Sequence, residues 1–135
     1  MSESNKSSEK IKYSSGAKWE DIVGYSRAIK IGDRILVSGT TAIADGNLIG
    51  EGDPYLQTKT IIENIEKVLI KAGSDLNDIV RLRTYVTDIT KWEEVGRALG
   101  ESFKDIRPAQ TLVEINALVD PKMMVEIEAE AVINY

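Results

Sequence analysis

The chain has 135 residues, 42% hydrophobic and 29% charged, a length and balance that predict one globular domain with a real core. Its net charge of −5 disfavours general nucleic-acid binding, because a phosphate backbone demands a positive surface. It has no cysteine and no histidine, which excludes disulfides, Cys nucleophiles, His-based triads and the usual zinc sites.

Any catalysis must then come from carboxylates, Tyr, Lys, Arg, hydroxyls, backbone amides or an ordered water. No metal and no cofactor is expected.

Residues 1–10 are Ser-, Lys-, Glu- and Asn-rich without the apolar stretch of a secretory signal, and are predicted to form a disordered polar tail. A single domain is expected over 11–135. No apolar run approaches the roughly 20 residues that span a bilayer, so the expected compartment is the cytoplasm, without a membrane partner.

Ile11 to Tyr13 suits a first short strand. Ser26 to Ile31 and Arg34 to Thr40 are β-favouring runs joined at Gly32-Asp33, which reads as a hairpin. Ala42 to Glu51, with Gly46 and Gly50, is predicted to be a loop. Asp53-Pro54 opens a helix, Asp as N-cap and Pro in the first position. Thr58, Ile61, Ile62, Ile65, Val68, Leu69 and Ala72 follow at three- and four-residue spacing and make one apolar stripe. Gly73 is a natural stop.

Ile79 to Thr87 reads as a strand, with Val80, Leu82, Thr84 and Val86 on one face and Arg81, Arg83 and Tyr85 on the other. Thr90 is placed to cap a helix running through Phe103 that buries Trp92, Val95, Leu99 and Phe103. Two alternating strands close the chain, Arg107 to Ile115 and Val125 to Ala131. Two helices cannot cover both faces of such a sheet, so they are expected on one face, an α+β arrangement.

The last strand sets Val125, Ile127, Ala129, Ala131 and Ile133 on one side and Glu126, Glu128 and Glu130 on the other. Adjacent carboxylates repel unless water or cations sit beside them, so that face lines solvent, a polar site or a subunit interface. Arg81, Arg83, Tyr85, Gln110 and Leu112 are expected to share it. A single copy can leave such a face wet, and a symmetric oligomer can enclose it; periodicity alone does not decide. Arg81 and Arg83 read as structural partners of the Glu row, and Trp19 and Trp92 as core or interface. Gly39-Thr40-Thr41 lacks the Gly-rich and Lys parts of a phosphate loop.

Several of these pieces, in this order and spacing, resemble the YjgF/RidA family over nearly the whole chain after about Tyr25. They are Ile35-Leu36-Val37-Ser38-Gly39, the Ala72-Gly73-Ser74 helix end, Val80 to Asp88, the Arg107-Pro108-Ala109 turn and Val125 to Ala129. The resemblance implies a chorismate-mutase-like fold with a mixed sheet. It also implies a homotrimer whose sheets form a central barrel, with small-molecule clefts at the subunit interfaces. The family's best-known activity is cofactor-free hydrolysis of reactive enamines and imines to keto acids, with release of ammonia. Other members are described as ribonucleases or translation inhibitors, or act in catabolic deaminations.

Carried over by position, Tyr25 matches the aromatic of the family's N-terminal loop, Ser38 the Ser-Gly of a strand, and Glu126 the acid that orients water. Hydrolytic members place an Arg directly after Pro-Ala to grip the substrate carboxylate; here that position is Gln110. The frequent Cys two residues on is Leu112, and a helix position that often holds Asn is Gly96. Arg107 lies before the proline and is expected to point elsewhere. A charge-assisted carboxylate contact contributes about 1.5–3 kcal/mol, so its loss predicts at least tenfold weaker binding of an anionic imine.

The expectation is therefore a hydrolytic deaminase of altered specificity, acting on a neutral or differently charged substrate with Glu126 orienting water. A non-catalytic metabolite-binding or regulatory trimer is the alternative. Ribonuclease action is disfavoured by the acidic balance and the missing His.

Overall fold

A computed structural model describes residues 9–134, so the predicted tail over 1–8 lies outside the described residues, while Lys10 already belongs to a strand. The elements in chain order are β1 (Lys10–Tyr13), α1 (Lys18–Val23), β2 (Ala28–Ile31), β3 (Arg34–Thr40), β4 (Ile43–Ala44), β5 (Asn47–Leu48), α2 (Pro54–Lys71), β6 (Ile79–Val86), α3 (Trp92–Phe103), β7 (Ala109–Glu114) and β8 (Val125–Val132). Six strands form one mixed sheet in the order β1-β2-β3-β8-β6-β7, with β6 and β7 parallel and the other neighbours antiparallel. Helices α2 and α3 pack on each other, and their buried residues join those of the sheet in one core, which is the α+β arrangement expected.

Helix α2 forms for the reasons its sequence carries. Asp53 accepts from Leu56 N at 3.0 Å, Pro54 occupies the first turn, and the whole stripe from Thr58 to Ala72 is buried. Gly73, at φ 83, stops it, and Ser74 N reaches back to Leu69 O at 2.8 Å. The sheet offers Ile35, Val37, Leu82, Val86, Val125, Ile127 and Ala129 to the same core. The β2–β3 hairpin turns at Gly32-Asp33 as predicted, with Ile31 opposite Arg34. Among the described residues no helix is long and apolar enough to cross a membrane.

Five local expectations are corrected. Ala42 to Glu51 is not a plain loop, because Asp45-Gly46, at φ 52 and 79, turns a short β4–β5 hairpin. Helix α1 escapes a search for apolar stripes, since its one buried residue is Glu20 while Ile22 and Val23 stand exposed. Val80 is not in the core: a bulge between Ile79 and Arg81 shifts the register against β8, burying Ile79 and leaving Val80 47% exposed. Trp92 is 54% exposed, because α3 begins there and its first turn clears the sheet. Thr90 does not cap α3; it lies in a 3₁₀ turn (Ile89–Lys91) that Asp88 caps by accepting from Thr90 N at 3.0 Å.

Candidate functional site

The open face of the sheet carries the three carboxylates of β8, each half-buried, and each has a different environment. Glu130 is held by Arg83 Nη1 at 3.3 Å and lies 3.9 Å from Arg34 Nη2. Glu128 accepts a short hydrogen bond from the Tyr85 hydroxyl. That bond, with burial and the Glu128 charge, pushes the Tyr85 hydroxyl above the usual phenol range, so Tyr85 stays a proton-bearing donor. Glu126 accepts no hydrogen bond from any described residue. Burial pushes its carboxyl up, the charge of Glu128 adds to this, and Arg27 opposes it. A hollow of about 520 Å³ opens over this acid, lined by Tyr25, Ser38, Gly39, Tyr85, Glu126 and Glu128.

A bulge in β3 shapes the floor of that hollow. Val37 pairs with Ala129 and Thr40 with Ile127, so one extra residue is squeezed in at Ser38-Gly39. The Glu126 carboxyl lies directly over Gly39: a Cβ added there would stand 2.8 Å from Glu126 Cδ. Ser38 has a structural task, its Oγ donating to Ser26 O at 2.7 Å. Tyr25 is 37% exposed and has the Arg27 guanidinium 5.6 Å from its ring centre. Arg27 also donates to Thr40 Oγ1 at 3.4 Å and stands 3.9 Å from Glu20 Oε2.

Behind this wall Glu20 accepts from Ser14 Oγ at 2.8 Å, from Ser15 N at 3.2 Å and from Ser15 Oγ. Burial pushes the Glu20 carboxyl up, but the Ser15 and Ser14 hydrogen bonds and the Arg27 charge outweigh it and hold it below the usual range. An ionised Glu20 thus anchors the segment that carries Tyr25 and Arg27. Sequence reasoning missed this pair, because a buried acid on a six-residue helix leaves no periodic signal.

Gln110 and Leu112 do not share this face, contrary to expectation. In the parallel pairing Leu82 lies beside Gln110 and Thr84 beside Leu112, and Leu82 and Thr84 are buried under the helices. Gln110 and Leu112 therefore point to the helix side, where Thr84 Oγ1 donates to Gln110 Oε1 at 2.8 Å. Strand β7 is a sheet edge exposed along most of its length, so its alternation does not say which face is inner.

A second groove, of about 440 Å³, runs there, and Gly96, Arg107, Gln110 and Leu112 all line it. The expectation for Arg107 is corrected too. Its backbone is left-handed, φ 54, which curls the chain ahead of Pro108 and brings Arg107 to the groove that Gln110 lines.

Within one chain the expected residues thus form two half-sites on opposite faces of the sheet. Glu126, Tyr25 and Ser38 stand on one, Gln110 and Leu112 on the other. The acid half also contains Tyr85, Glu128 and Gly39, which sequence reasoning did not assign to a site. The alternation that faced Tyr85 with Arg81 and Arg83 toward the Glu row was the available signal. Among the described residues no cluster of three or more acidic side chains is arranged to hold a metal ion.

A family model described as Endoribonuclease L-PSP matches residues 15–133. An uncharacterized protein of Streptomyces coelicolor is 37% identical over 117 residues, covering 87% of this chain and 87% of its own length. The 3-aminoacrylate deaminase RutC of Acinetobacter baylyi is 29% identical over 108 residues, 79% of this chain and 85% of its own. Among solved structures, Rv2704 of Mycobacterium tuberculosis, described as a member of the YjgF/YER057c/UK114 family, superposes with a TM-score of 0.84 at 43% identity. The match covers 93% of this chain and 100% of that one.

Proposed function

The chain belongs to the endoribonuclease L-PSP family, which includes the YjgF and RidA proteins, and from that membership we propose a cofactor-free hydrolase acting on the C=N bond of a small metabolite. The observation that carries the reading is Glu126. It alone in its row has no donor on its carboxylate, and burial with the Glu128 charge raises its affinity for a proton. Such a group, once ionised, is a stronger base than an ordinary carboxylate and is suited to general-base work.

In the proposed reaction Glu126 takes a proton from water as the water oxygen bonds to the imine carbon. The C=N π electrons move to nitrogen, which gains a proton, leaving a carbinolamine. The carbinolamine hydroxyl then gives its proton, by way of Glu126, to the amine nitrogen. Its O–H electrons form the C=O bond as the C–N bond breaks, and ammonia and a carbonyl compound leave. Gln110 holds a polar group of the substrate through Nε2, since its Oε1 is engaged by Thr84.

Glu126 and Gln110 lie on opposite faces of one sheet, so the reading requires that the acid half-site of one copy meet the Gln110 half-site of another. A homotrimer with clefts at its subunit interfaces satisfies this. Relatedness to a 3-aminoacrylate deaminase supports the reaction class. Ribonuclease action has less support: the hollow is acidic and the net charge is −5.

Ammonia release from imines generated from several amino acids is the test. Glu126→Ala should lower turnover by roughly 10²–10⁴-fold, and unchanged turnover would remove Glu126 from the mechanism. In the native protein, activity should fall with acidification at a pH above the usual carboxylate range, because a raised pKa leaves Glu126 protonated there. The groups facing it, Glu128, Tyr85 and Arg27, set that limb.

The absence of a cation at position 110 favours one second reading, a non-catalytic trimer that binds a metabolite. Metabolite-dependent thermal shifts with no product formed would support it.

A further inference from the structure

The wall behind the acid hollow contains a cation that is only partly compensated. Arg27, just ahead of β2, has its Nε and Nη2 buried, and among the described residues neither finds a hydrogen-bond partner. The guanidinium donates from Nη1 to Thr40 Oγ1, at 3.4 Å. The Glu20 carboxylate stands 3.9 Å from Nε, near enough to attract it and too far to accept from it. Glu20 has other donors: Ser14 Oγ and Ser15 N reach its Oε1, and Ser15 Oγ reaches its Oε2. Leaving buried donors of a charged group unsatisfied costs stability, so their persistence calls for a reason.

The same residue holds the floor on which Glu126 rests. Ser38 N donates to Arg27 O at 3.0 Å, and Thr40 Oγ1 donates to Ser38 O at 2.8 Å. Arg27 thus grips both ends of the bulge over residues 38–40, one end with its backbone and the other with its guanidinium. Gly39 lies between them, directly under the Glu126 carboxyl.

We infer that Arg27 and Glu20 are a positioning pair for Glu126. Arg27 clamps the bulge beneath that carboxyl and faces it with positive charge, while Glu20 draws on the same charge from the other side and so limits it. The inference rests on the reading above that Glu126 is the base, and neither member of the pair touches substrate. Without Arg27, Glu126 beside Glu128 would keep its proton to higher pH, and a protonated carboxyl takes none from water. With the full Arg27 charge it would ionise readily but be a weaker base. Glu20 sets the balance between the two. The other groups facing Glu126 are Glu128 on its own strand, Tyr85 on β6 and Tyr25 across the hollow; β3 brings only the uncharged Ser38 and Gly39.

A structural reading of the same residues is that the pair only staples the segment before β2 to the sheet. The two readings differ in sign. Losing either half of a staple loosens the cover of the hollow, so Glu126 becomes wetter and its ionisation midpoint falls in both variants. A positioning pair moves that midpoint in opposite directions.

The test follows the Glu126 carboxyl by NMR in the full chain, ¹³C-labelled at its glutamate carboxyls, as pH is varied. The signal is assigned by its loss in Glu126→Gln. Arg27→Gln and Arg27→Met should each raise the midpoint by about half a pH unit or more, since the facing positive charge is gone. Two neutral replacements are used so that one failing to fold leaves the other to decide. Glu20→Gln should lower the midpoint, since the Arg27 charge is no longer shared. Arg27→Lys, which keeps the charge and loses the fork, should stay nearer to native than either neutral variant. Any pattern other than opposite shifts at Arg27 and Glu20 overturns the inference. The titration needs no substrate. Opposite shifts in a protein that hydrolyses no imine would leave the pair standing and remove only the C=N reading. Where turnover is found, the acid limb of its pH profile should follow the two shifts.

Discussion

Gly39 and Glu126 occupy one cramped spot, and the position of the carboxyl depends on the absence of a side chain beneath it. With an added Cβ only 2.8 Å from Glu126 Cδ, Gly39→Ala must swing the acid away from the β3 bulge and toward water. Misplacing a reacting group by about 1 Å can cost up to about a hundredfold in rate, so turnover should fall by roughly ten- to a hundredfold. The acid limb of the pH profile should also move to lower pH, because burial is the first cause of the raised Glu126 pKa and the displaced carboxyl is less buried. A rate loss with an unmoved limb would separate the two residues. The acid itself was legible in the alternation of β8. Gly39 was not, since a glycine beside a strand end carries no sign of what approaches it.

The elements differ in how plainly their sequences announce them, and the difference is physical. Helix α2 buries one continuous stripe, so its period is visible, whereas α1 buries a single charged residue and shows none. In β6 the alternation is regular but a bulge resets it after Ile79, and an inserted residue leaves no trace in a pattern of two. Edge strand β7 faces solvent along much of both sides, which is why Gln110 and Leu112 were set on the wrong face. The same logic grades substitutions. Ile65→Ala, fully inside the stripe at 1% exposure, should cost about 2–5 kcal/mol in denaturant unfolding. Trp92→Ala, at 54% exposure, should cost no more than about 0.5 kcal/mol in the isolated subunit. A larger loss would place Trp92 in a contact between subunits.

At the scale of the whole molecule, the sheet is a partition with half of the proposed site on either side. The proposed trimer therefore has a direct genetic consequence. Glu126→Gln removes the base from one half-site, and Leu112→Trp fills the groove of the other. Each variant alone should lose most of its activity. Co-folding the two should restore a fraction of it, because some interfaces then join an intact acid half to an intact groove half. No recovery from properly mixed oligomers would mean that each chain works alone or that the groove takes no part. The sequence resemblance implied clefts between subunits; the separation of Glu126 from Gln110 within one chain is what gives that implication a structural reason.

The placement of β8 also dictates an order of events during synthesis. Of the six strands of the sheet it is the last in chain order, yet it lies between β3 and β6. Until the ribosome has released it, β1-β2-β3 and β6-β7 are two fragments with no common neighbour, and the apolar faces of α2 and α3 have only part of a surface to cover. Until β8 emerges, such a nascent domain exposes hydrophobic surface and waits on a long-range closure, the slow and aggregation-exposed regime of folding. The strand that closes the sheet also carries Glu126, so no partly folded form can display the proposed base in its finished hollow.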